Sequence, residues 1–129
     1  MKGTMTRPSI AVIDDDAAVR AALGRLLLSM GLSVDTYASA EEFLSHADPN
    51  EFDCLLLDVQ LRGMSGLELS IYLAATDVDV PIILLTANPE LVARHARAAR
   101  LASTVLMKPT DVAELTAALE SALSVAAIS

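Results

Sequence analysis

Aromatic residues and cysteine are scarce in this chain of 129 residues. Aromatics make up 3% of it, tryptophan is absent and Cys54 is the only cysteine. A single cysteine excludes an internal disulfide, and its place in an apolar segment predicts a buried thiol in a reducing compartment, the cytoplasm. With 53% hydrophobic residues, the core must consist mainly of Leu, Val, Ile and Ala, as between a parallel sheet and its helices. Met64 and Met107 are expected to fill gaps in that core.

Long hydrophobic runs and an excess of positive charge are missing as well. No apolar run approaches the roughly 20 residues that cross a bilayer, and residues 1–8 lack the apolar region of a signal peptide. The net charge of −8 argues against direct binding to nucleic acid or to an anionic membrane, because both require a basic surface. Positive charge is concentrated in one predicted helix, at Arg94, His95, Arg97 and Arg100. A solvated helix face is the simplest interpretation of this run, and a partner surface is the alternative.

Short β-rich runs alternate with longer segments of helical periodicity, which predicts βαβ units and a parallel sheet. Right-handed crossovers would place helices on both faces of the sheet, and the chain has the length of one domain. The predicted strands are residues 9–13, 33–38, 54–57, 81–85 and 104–107. The predicted helices are residues 17–30, segments that begin near 39, 65 and 89, and residues 111–125.

Several helix starts carry recognisable capping residues. Ser39 with Glu42, and Ser65 with Glu68, have the three-residue spacing of a capping box, in which each residue bonds the backbone of the other. Thr110 is the expected cap of the last helix. These positions fix where the predicted helices begin.

Polar residues follow four of the predicted strands: Asp14-Asp15, Asp58, Thr86 and Lys108. The carboxyl ends of parallel strands line one edge of an open sheet, so these residues are expected to converge. Neighbouring carboxylates repel each other unless a cation lies between them, and Mg²⁺ prefers carboxylate and phosphate oxygens. Taken alone, the acidic doublet is more simply interpreted as a helix cap. The threonine alone would be the end of a strand, and the lysine alone would be a surface charge. Their coincidence at four strand ends predicts a magnesium and phosphate site.

The chemistry of such a site assigns each side chain a role. Asp58 can act as a nucleophile on phosphorus and form an acyl phosphate. Thr86 can donate a hydrogen bond to a phosphoryl oxygen, and Lys108 can pair with another oxygen as a point charge.

The chain from Pro8 to Ala126 resembles the receiver domain of bacterial response regulators. The matching motifs are Ile13-Asp14-Asp15-Asp16, Leu57-Asp58-Val59, Met64-Ser65-Gly66-Leu67-Glu68-Leu69, Leu85-Thr86-Ala87 and Lys108-Pro109. The stretch Tyr37-Ala38-Ser39-Ala40-Glu41-Glu42-Phe43-Leu44 is similar to the FixJ-like branch, whose members often carry a DNA-binding output domain; we expect none within these 129 residues. On this resemblance residues 1–7 form a flexible arm, residues 8–126 the receiver domain and residues 127–129 a short tail.

The resemblance implies an α/β fold with a doubly wound, five-stranded parallel sheet in the order 2-1-3-4-5. This is the flavodoxin- or CheY-like (βα)5 three-layer sandwich. It further implies that Asp58 is the phosphoacceptor and that Asp15, Asp58 and the backbone carbonyl of Gln60 bind Mg²⁺. Asp14 would hold a metal-bound water.

The resemblance also assigns the residues that respond to the phosphoryl group. Thr86 would move toward it and Lys108 would be its counterion, with the Lys108-Pro109 bond in the cis form. Gln60 and Asn88 would flank the path of the hydrolytic water and so set the lifetime of the phosphoryl group.

Three residues depart from the pattern of the family. Val105 stands where a Tyr or Phe usually rotates inward, Leu101 replaces the glycine that ends the fourth helix, and Arg62 replaces a proline after the phosphoacceptor. The site is therefore expected to be complete, while the relay that leads out of it is not. The expected surface for a homodimer or a downstream protein is the fourth helix with Arg94 and Arg97, the fifth strand and the last helix.

The implied function is that of a phosphorylation switch or phosphate sink, with no enzymatic activity beyond its own phosphorylation and dephosphorylation. Its donor would be a sensor histidine kinase or a histidine phosphotransfer protein. A haloacid-dehalogenase-type phosphatase is a competing hypothesis, because Asp14-Asp15-Asp16 imitates the Asp-x-Asp motif, but Ala18 stands where that family has Thr or Val. An unphosphorylated protein-interaction module of the same fold is the third. Phosphorylation on Asp58, on Asp14 or on neither distinguishes them.

Overall fold

Five parallel strands form one sheet in the order β2-β1-β3-β4-β5. The computed structural model describes residues 7–94 and 104–128. Its strands are β1 (Ser9–Ile13), β2 (Ser33–Tyr37), β3 (Cys54–Asp58), β4 (Ile82–Thr86) and β5 (Thr104–Met107). The predicted strand order is confirmed.

The register of the sheet brings the carboxyl ends of the strands together. Ile13 of β1 lies beside Leu57 of β3, and Asp58 lies beside Leu85 of β4. Asp58 is itself the last residue of β3 rather than the first residue after it. It follows that the polar residues at the ends of β1, β3 and β4 lie along one edge of the sheet.

The described residues contain five α-helices and one 3-10 turn. They are α1 (Ala17–Ser29), α2 (Ala40–His46), the 3-10 turn (Pro49–Glu51), α3 (Gly66–Ala75), α4 (Pro89–Arg94) and α5 (Val112–Ile128). The helix α5 therefore continues past residue 125, where it was predicted to end. The predicted positions of His95, Arg97, Arg100 and Leu101 lie outside the described residues.

Hydrogen bonds at the helix starts confirm one predicted capping box and half of another. At α3 the Ser65 hydroxyl accepts from the Glu68 amide at 3.1 Å, and the Glu68 carboxylate accepts from the Ser65 amide at 3.0 Å. At α2 the Ser39 hydroxyl accepts from the Glu42 amide at 2.9 Å. The Glu42 carboxylate, however, accepts from the Ala38 amide at 3.2 Å, one residue earlier than a capping box requires.

The expected cap of the last helix was wrong by one residue. The carboxylate of Asp111 accepts from the Glu114 amide at 3.1 Å, and this is the bond that a cap makes to the third helical residue. Because α5 begins at Val112, Asp111 has the required spacing and Thr110 does not.

Two hydrophobic clusters lie on the two faces of the sheet. One joins β-strand residues such as Ile13 and Leu57 to α2, α3 and α4. The other joins alternate strand residues such as Val12 and Leu56 to α1 and α5. Helices thus cover both faces and leave the carboxyl edge free for chemistry.

Among the residues predicted to be buried, the structure corrects one. Cys54 is fully buried, and Met64 packs partly buried against the first cluster. Met107 is 58% exposed, because it is the last residue of β5, the edge strand of the sheet. The prediction that Met107 fills a core gap was therefore wrong. Among the described residues, no helix is both long enough and apolar enough to cross a membrane.

Candidate functional site

Three carboxylates converge where β1 and β3 end. Ligand oxygens of Asp14, Asp15 and Asp58 all lie within 4.8 Å of one another. Asp14 is 1% exposed and Asp58 5% exposed, whereas Asp15 faces solvent. A cluster made only of carboxylate oxygens suits a hard cation such as Mg²⁺.

Lys108, which directly follows β5, forms ion pairs with two of these carboxylates. Its ammonium group lies 2.9 Å from an oxygen of Asp14 and 3.1 Å from an oxygen of Asp58. The Lys108 side chain is 24% exposed, so both ion pairs lie partly out of water. The predicted approach of the strand-five lysine to the strand-one and strand-three aspartates is observed in the structure, as is the cis form of the Lys108-Pro109 bond.

Burial and charge act in opposite directions on these groups. Burial raises the pKa of Asp58, with a smaller contribution from the charge of Asp14, and the hydrogen bonds from Gln60 and Lys108 only partly offset that rise. Burial alone would lower the pKa of Lys108, but its hydrogen bonds to Asp14 and Asp58 and their charges together raise it. Lys108 therefore remains a cation at neutral pH, and Asp58 is a more basic carboxylate than a solvated one.

Two of the three consecutive aspartates, Asp14 and Asp16, have different hydrogen-bond partners. Asp14 accepts a hydrogen bond from the Asp16 amide at 2.9 Å. Asp16 caps α1 and accepts from the Ala18 amide at 2.9 Å. The Arg20 guanidinium donates to the backbone carbonyl of Asp14 at 2.7 Å. The sequence reasoning missed Arg20; its place one turn beyond the Asp16 cap was the available signal.

Thr86 is fully buried at the end of β4. Its hydroxyl accepts from the Asn88 amide at 2.9 Å, and its carbonyl accepts from the Lys108 amide at 2.8 Å. The side chain of Asn88 accepts from the Leu91 amide at 3.3 Å, within the first turn of α4. Thr86 thus lies next to the lysine through the backbone, while its hydroxyl holds the start of α4.

The loop between β3 and α3 is bonded to the site at its start. The Gln60 amide donates to the Asp58 carboxylate at 3.0 Å, and the Gln60 side chain is exposed. At the far end of the loop, the Gly66 amide donates to the Val59 carbonyl at 3.0 Å. Gly66 also lies so close to Asp58 that an added Cβ would collide with the Asp58 carbonyl. This contact fixes the distance between α3 and the end of β3.

An open groove of about 610 Å³ lies beside the acidic site. Its apolar wall is α1, and its other wall contains the residues that follow β5. The lining includes Val19, Ala22, Leu26, Lys108 and Pro109. A partner that fills this groove would therefore touch the lysine that pairs with Asp58.

The residues predicted to transmit a signal are only partly described. Val105 is half-buried on β5 and packs against the core cluster that contains Val92 of α4. Arg94 is exposed at the last described residue of α4. Arg97, the other arginine of the predicted surface, lies outside the described residues.

Comparison with known proteins defines the class. The family model of the response regulator receiver domain matches residues 10–120. The chain therefore belongs to the response regulator receiver domain family, which acts in two-component systems and in which phosphorylation on aspartate is the standard function.

Two curated relatives show the FixJ-like character of the sequence. The transcriptional regulatory protein FixJ of Azorhizobium caulinodans is 39% identical over 115 residues, which is 88% of this chain and 54% of FixJ. The response regulator protein TodT of Pseudomonas putida is 34% identical over 117 residues, which is 91% of this chain and 52% of TodT. The chain spans about half the length of these relatives.

Solved structures agree with the fold. The response regulator StyR is 37% identical with a TM-score of 0.84, covering 95% of this chain and 62% of StyR. TrrA of Thermotoga maritima, solved in complex with Mg(2+)-BeF, is 28% identical with a TM-score of 0.79, covering 90% of this chain and 99% of TrrA. Receiver domains bind Mg²⁺ at an acidic pocket, and the cluster Asp14, Asp15 and Asp58 occupies that place here.

Proposed function

We propose that Asp58 is the phosphoacceptor of this receiver domain, which we take to be residues 8–126. The proposal rests above all on one observation: the Asp58 carboxylate lies 3.1 Å from the Lys108 ammonium and within 4.8 Å of the Asp14 and Asp15 carboxylates. An Asp58 oxygen attacks phosphorus, an acyl phosphate forms, and the bond between phosphorus and the donor nitrogen breaks. Lys108 then pairs with a phosphoryl oxygen instead of the Asp58 carboxylate.

Asp58 fits the nucleophile better than Asp14 does. The side chain of Asp14 is 1% exposed and that of Asp58 is 6% exposed. Asp14 also ties the end of β1 to the start of α1 through the Asp16 amide. This arrangement favours a supporting role for Asp14 and disfavours the phosphatase alternative.

Asp15, Asp58 and the backbone carbonyl of Gln60 would hold Mg²⁺, and Asp14 would hold a water bound to it. The ion would neutralise the carboxylates and stabilise charge on the transferring phosphoryl group. Thr86 would leave the Asn88 amide and donate its hydroxyl hydrogen to a phosphoryl oxygen. Lys108 supplies the remaining positive charge.

A small phosphodonor tests the assignment directly. Wild-type protein and Asp58→Asn are incubated with acetyl phosphate, with Mg²⁺ or with a chelator, and the intact mass is measured. One phosphoryl group is expected on the wild type with Mg²⁺ and none on Asp58→Asn. Full labelling of Asp58→Asn, or of the wild type in chelator, refutes the assignment, and labelling mapped to Asp14 supports the phosphatase alternative. No labelling of the wild type supports the unphosphorylated module.

The physiological donor would be a sensor histidine kinase or a histidine phosphotransfer protein. The apolar groove between α1 and Pro109 supports this donor class, because a helical partner could lie in it with its histidine near Asp58. The only chemistry required of the chain itself is its own phosphorylation and dephosphorylation.

The output would pass through α4, β5 and α5, to a second copy or to a downstream protein. Val105 is β-branched and short, so it cannot swing between buried and exposed positions as an aromatic residue does. Movement of Thr86 would instead shift the start of α4, which its hydroxyl holds through Asn88. Amide NMR with beryllofluoride should therefore perturb residues 86–94 and 104–108 most. Changes confined to the acidic pocket would favour a phosphate sink.

A further inference from the structure

The carboxylate of Glu41, in the first turn of α2, contacts the loop between β3 and α3. It accepts a hydrogen bond from the Met64 amide at 2.8 Å, across 23 residues of sequence. The neighbouring Gly63 has a φ of +75°, and a Cβ built there would collide with the same carboxylate. The Glu41 side chain thus contacts two consecutive residues of the loop, Gly63 and Met64.

This contact lies in the second half of a loop whose ends are already bonded, at the two residues that precede the Ser65 cap of α3. At its start the Gln60 amide donates to the Asp58 carboxylate at 3.0 Å. At its end the capping box of Ser65 fixes the first turn of α3. Glu41 therefore restrains the segment between these anchors, and it does so from a different helix.

We propose that Glu41 is a positioning residue for the Mg²⁺ site. By holding Gly63 and Met64, its carboxylate fixes the course of the loop that carries the Gln60 carbonyl. Mg²⁺ requires near-ideal octahedral geometry, so a displaced oxygen ligand weakens its binding. The inference rests on the proposed function to the extent that the Gln60 carbonyl is a ligand.

The ionisation of Glu41 is compatible with this role. The hydrogen bond from the Met64 amide lowers the pKa of the Glu41 carboxyl. The group is therefore a charged acceptor at neutral pH, although an uncharged amide oxygen at the same reach can accept the same hydrogen bond.

Charge alone is the competing explanation, because any nearby carboxylate attracts a cation. Two conservative variants separate the explanations. Glu41→Gln removes the charge but keeps an acceptor oxygen at the same reach. Glu41→Asp keeps the charge but is too short by one methylene to reach the Met64 amide. Positioning predicts that the Asp variant is impaired and the Gln variant is not.

The experiment is a titration of the unphosphorylated protein with MgCl₂. Binding is measured by calorimetry, and the amide NMR signals of Gln60 and Met64 report on the loop. Glu41→Ala and Glu41→Asp should raise the Kd for Mg²⁺ by about three- to tenfold, the size of one net hydrogen bond. Glu41→Gln should remain within about twofold of the wild type on the same scale. The matched control is Glu42→Ala, which removes the same charge from the same helical turn. In the wild type the Glu42 carboxylate accepts a hydrogen bond from the Ala38 amide rather than from an amide of the loop.

The outcomes separate this inference from the proposed function. If the wild type binds no Mg²⁺, both are overturned. If the wild type binds and Glu41→Ala binds equally well, only the role of Glu41 is overturned. Equal weakening in the Gln and Ala variants assigns the effect to charge and overturns positioning. Should Glu41→Ala fail to fold, the comparison of Glu41→Asp with Glu41→Gln decides the question alone.

Discussion

The ammonium group of Lys108 lies 2.9 Å from the carboxylate of Asp14, although 94 residues separate them in sequence. The same group lies 3.1 Å from Asp58, so one cation pairs with two buried carboxylates. Lys108→Met leaves both carboxylates unpaired, and we expect the free energy of unfolding without metal to fall by ~2 kcal/mol. Mg²⁺ should restore most of this loss because it supplies the missing charge. Urea unfolding with and without Mg²⁺ measures both effects, and an equal loss under the two conditions would contradict the prediction.

Gly66, the first residue of α3, packs tightly against the end of β3. In Gly66→Ala the new methyl group collides with the backbone of Asp58 and Val59. Asp58 ends β3 and the Val59 amide donates to the Leu85 carbonyl of β4, so this backbone cannot move away easily. We expect a loss of ~2 kcal/mol in unfolding free energy, as for other overpacked sites, together with slower phosphorylation by acetyl phosphate. Gly24→Ala, where an added Cβ meets no atom within 4 Å, is the control and should not lose stability.

The buried thiol of Cys54 makes stability depend on alkaline pH. Burial, helped by the charge of Asp53, raises the pKa of the Cys54 thiol from 9.0 to about 12. Between these values the unfolded chain has lost the proton and the folded chain keeps it, so the unfolding free energy falls as pH rises. Denaturant unfolding at several pH values should show a steeper decline from pH 9 to 12 for the wild type than for Cys54→Ala. Parallel curves would show that other groups cause the decline.

Ala22 lies in the groove beside Lys108, and Ala21 lies in a separate groove between α1 and β2. We expect Ala22→Glu to slow transfer from a phosphorylated histidine kinase by about tenfold or more, because a charge then enters the apolar contact. Phosphorylation by acetyl phosphate should be unchanged. Ala21→Glu adds the same charge to the same helix and should leave both reactions as in the wild type. An equal effect of the two variants would contradict this docking site.

Gln60 and Asn88 should set how long the acyl phosphate lasts. Replacing either with Ala or Lys is expected to change the dephosphorylation rate several-fold without preventing phosphorylation, because both side chains are exposed beside the site. Asn88→Ala also removes the bond to the Leu91 amide, whereas the backbone bond from residue 88 to Thr86 remains. Decay of the phosphorylated species by intact mass measures the rate. Asn50→Ala, on the distant 3-10 turn, is the control, and unchanged lifetimes at both positions would refute the prediction.

Much of the site could be predicted because the topology of the sheet determines which residues lie at its carboxyl edge. Once β1, β3, β4 and β5 are parallel neighbours, Asp14, Asp58 and Lys108 must start from one edge. Contacts between separate elements, such as Glu41 with Met64, depend on side-chain direction and loop path, and no local spacing encodes them.

The errors at single positions have similar causes. Thr110 and Asp111 are both good caps, and only the first residue of the helix decides between them. Met107 resembles a core residue by its apolar side chain, but it is exposed because it lies at the end of an edge strand.

The different roles of Asp14, Asp15 and Asp16 make the length of this segment important. Asp14 pairs with Lys108, Asp15 faces solvent within the acidic cluster, and Asp16 caps α1. Deleting any one of the three gives the same shortened chain, with two aspartates between Ile13 and Ala17. That chain keeps two aspartates but must leave either α1 without its cap or the acidic cluster without one of its carboxylates. The spacing between strand and helix, rather than the number of acidic residues, is therefore what this segment must preserve.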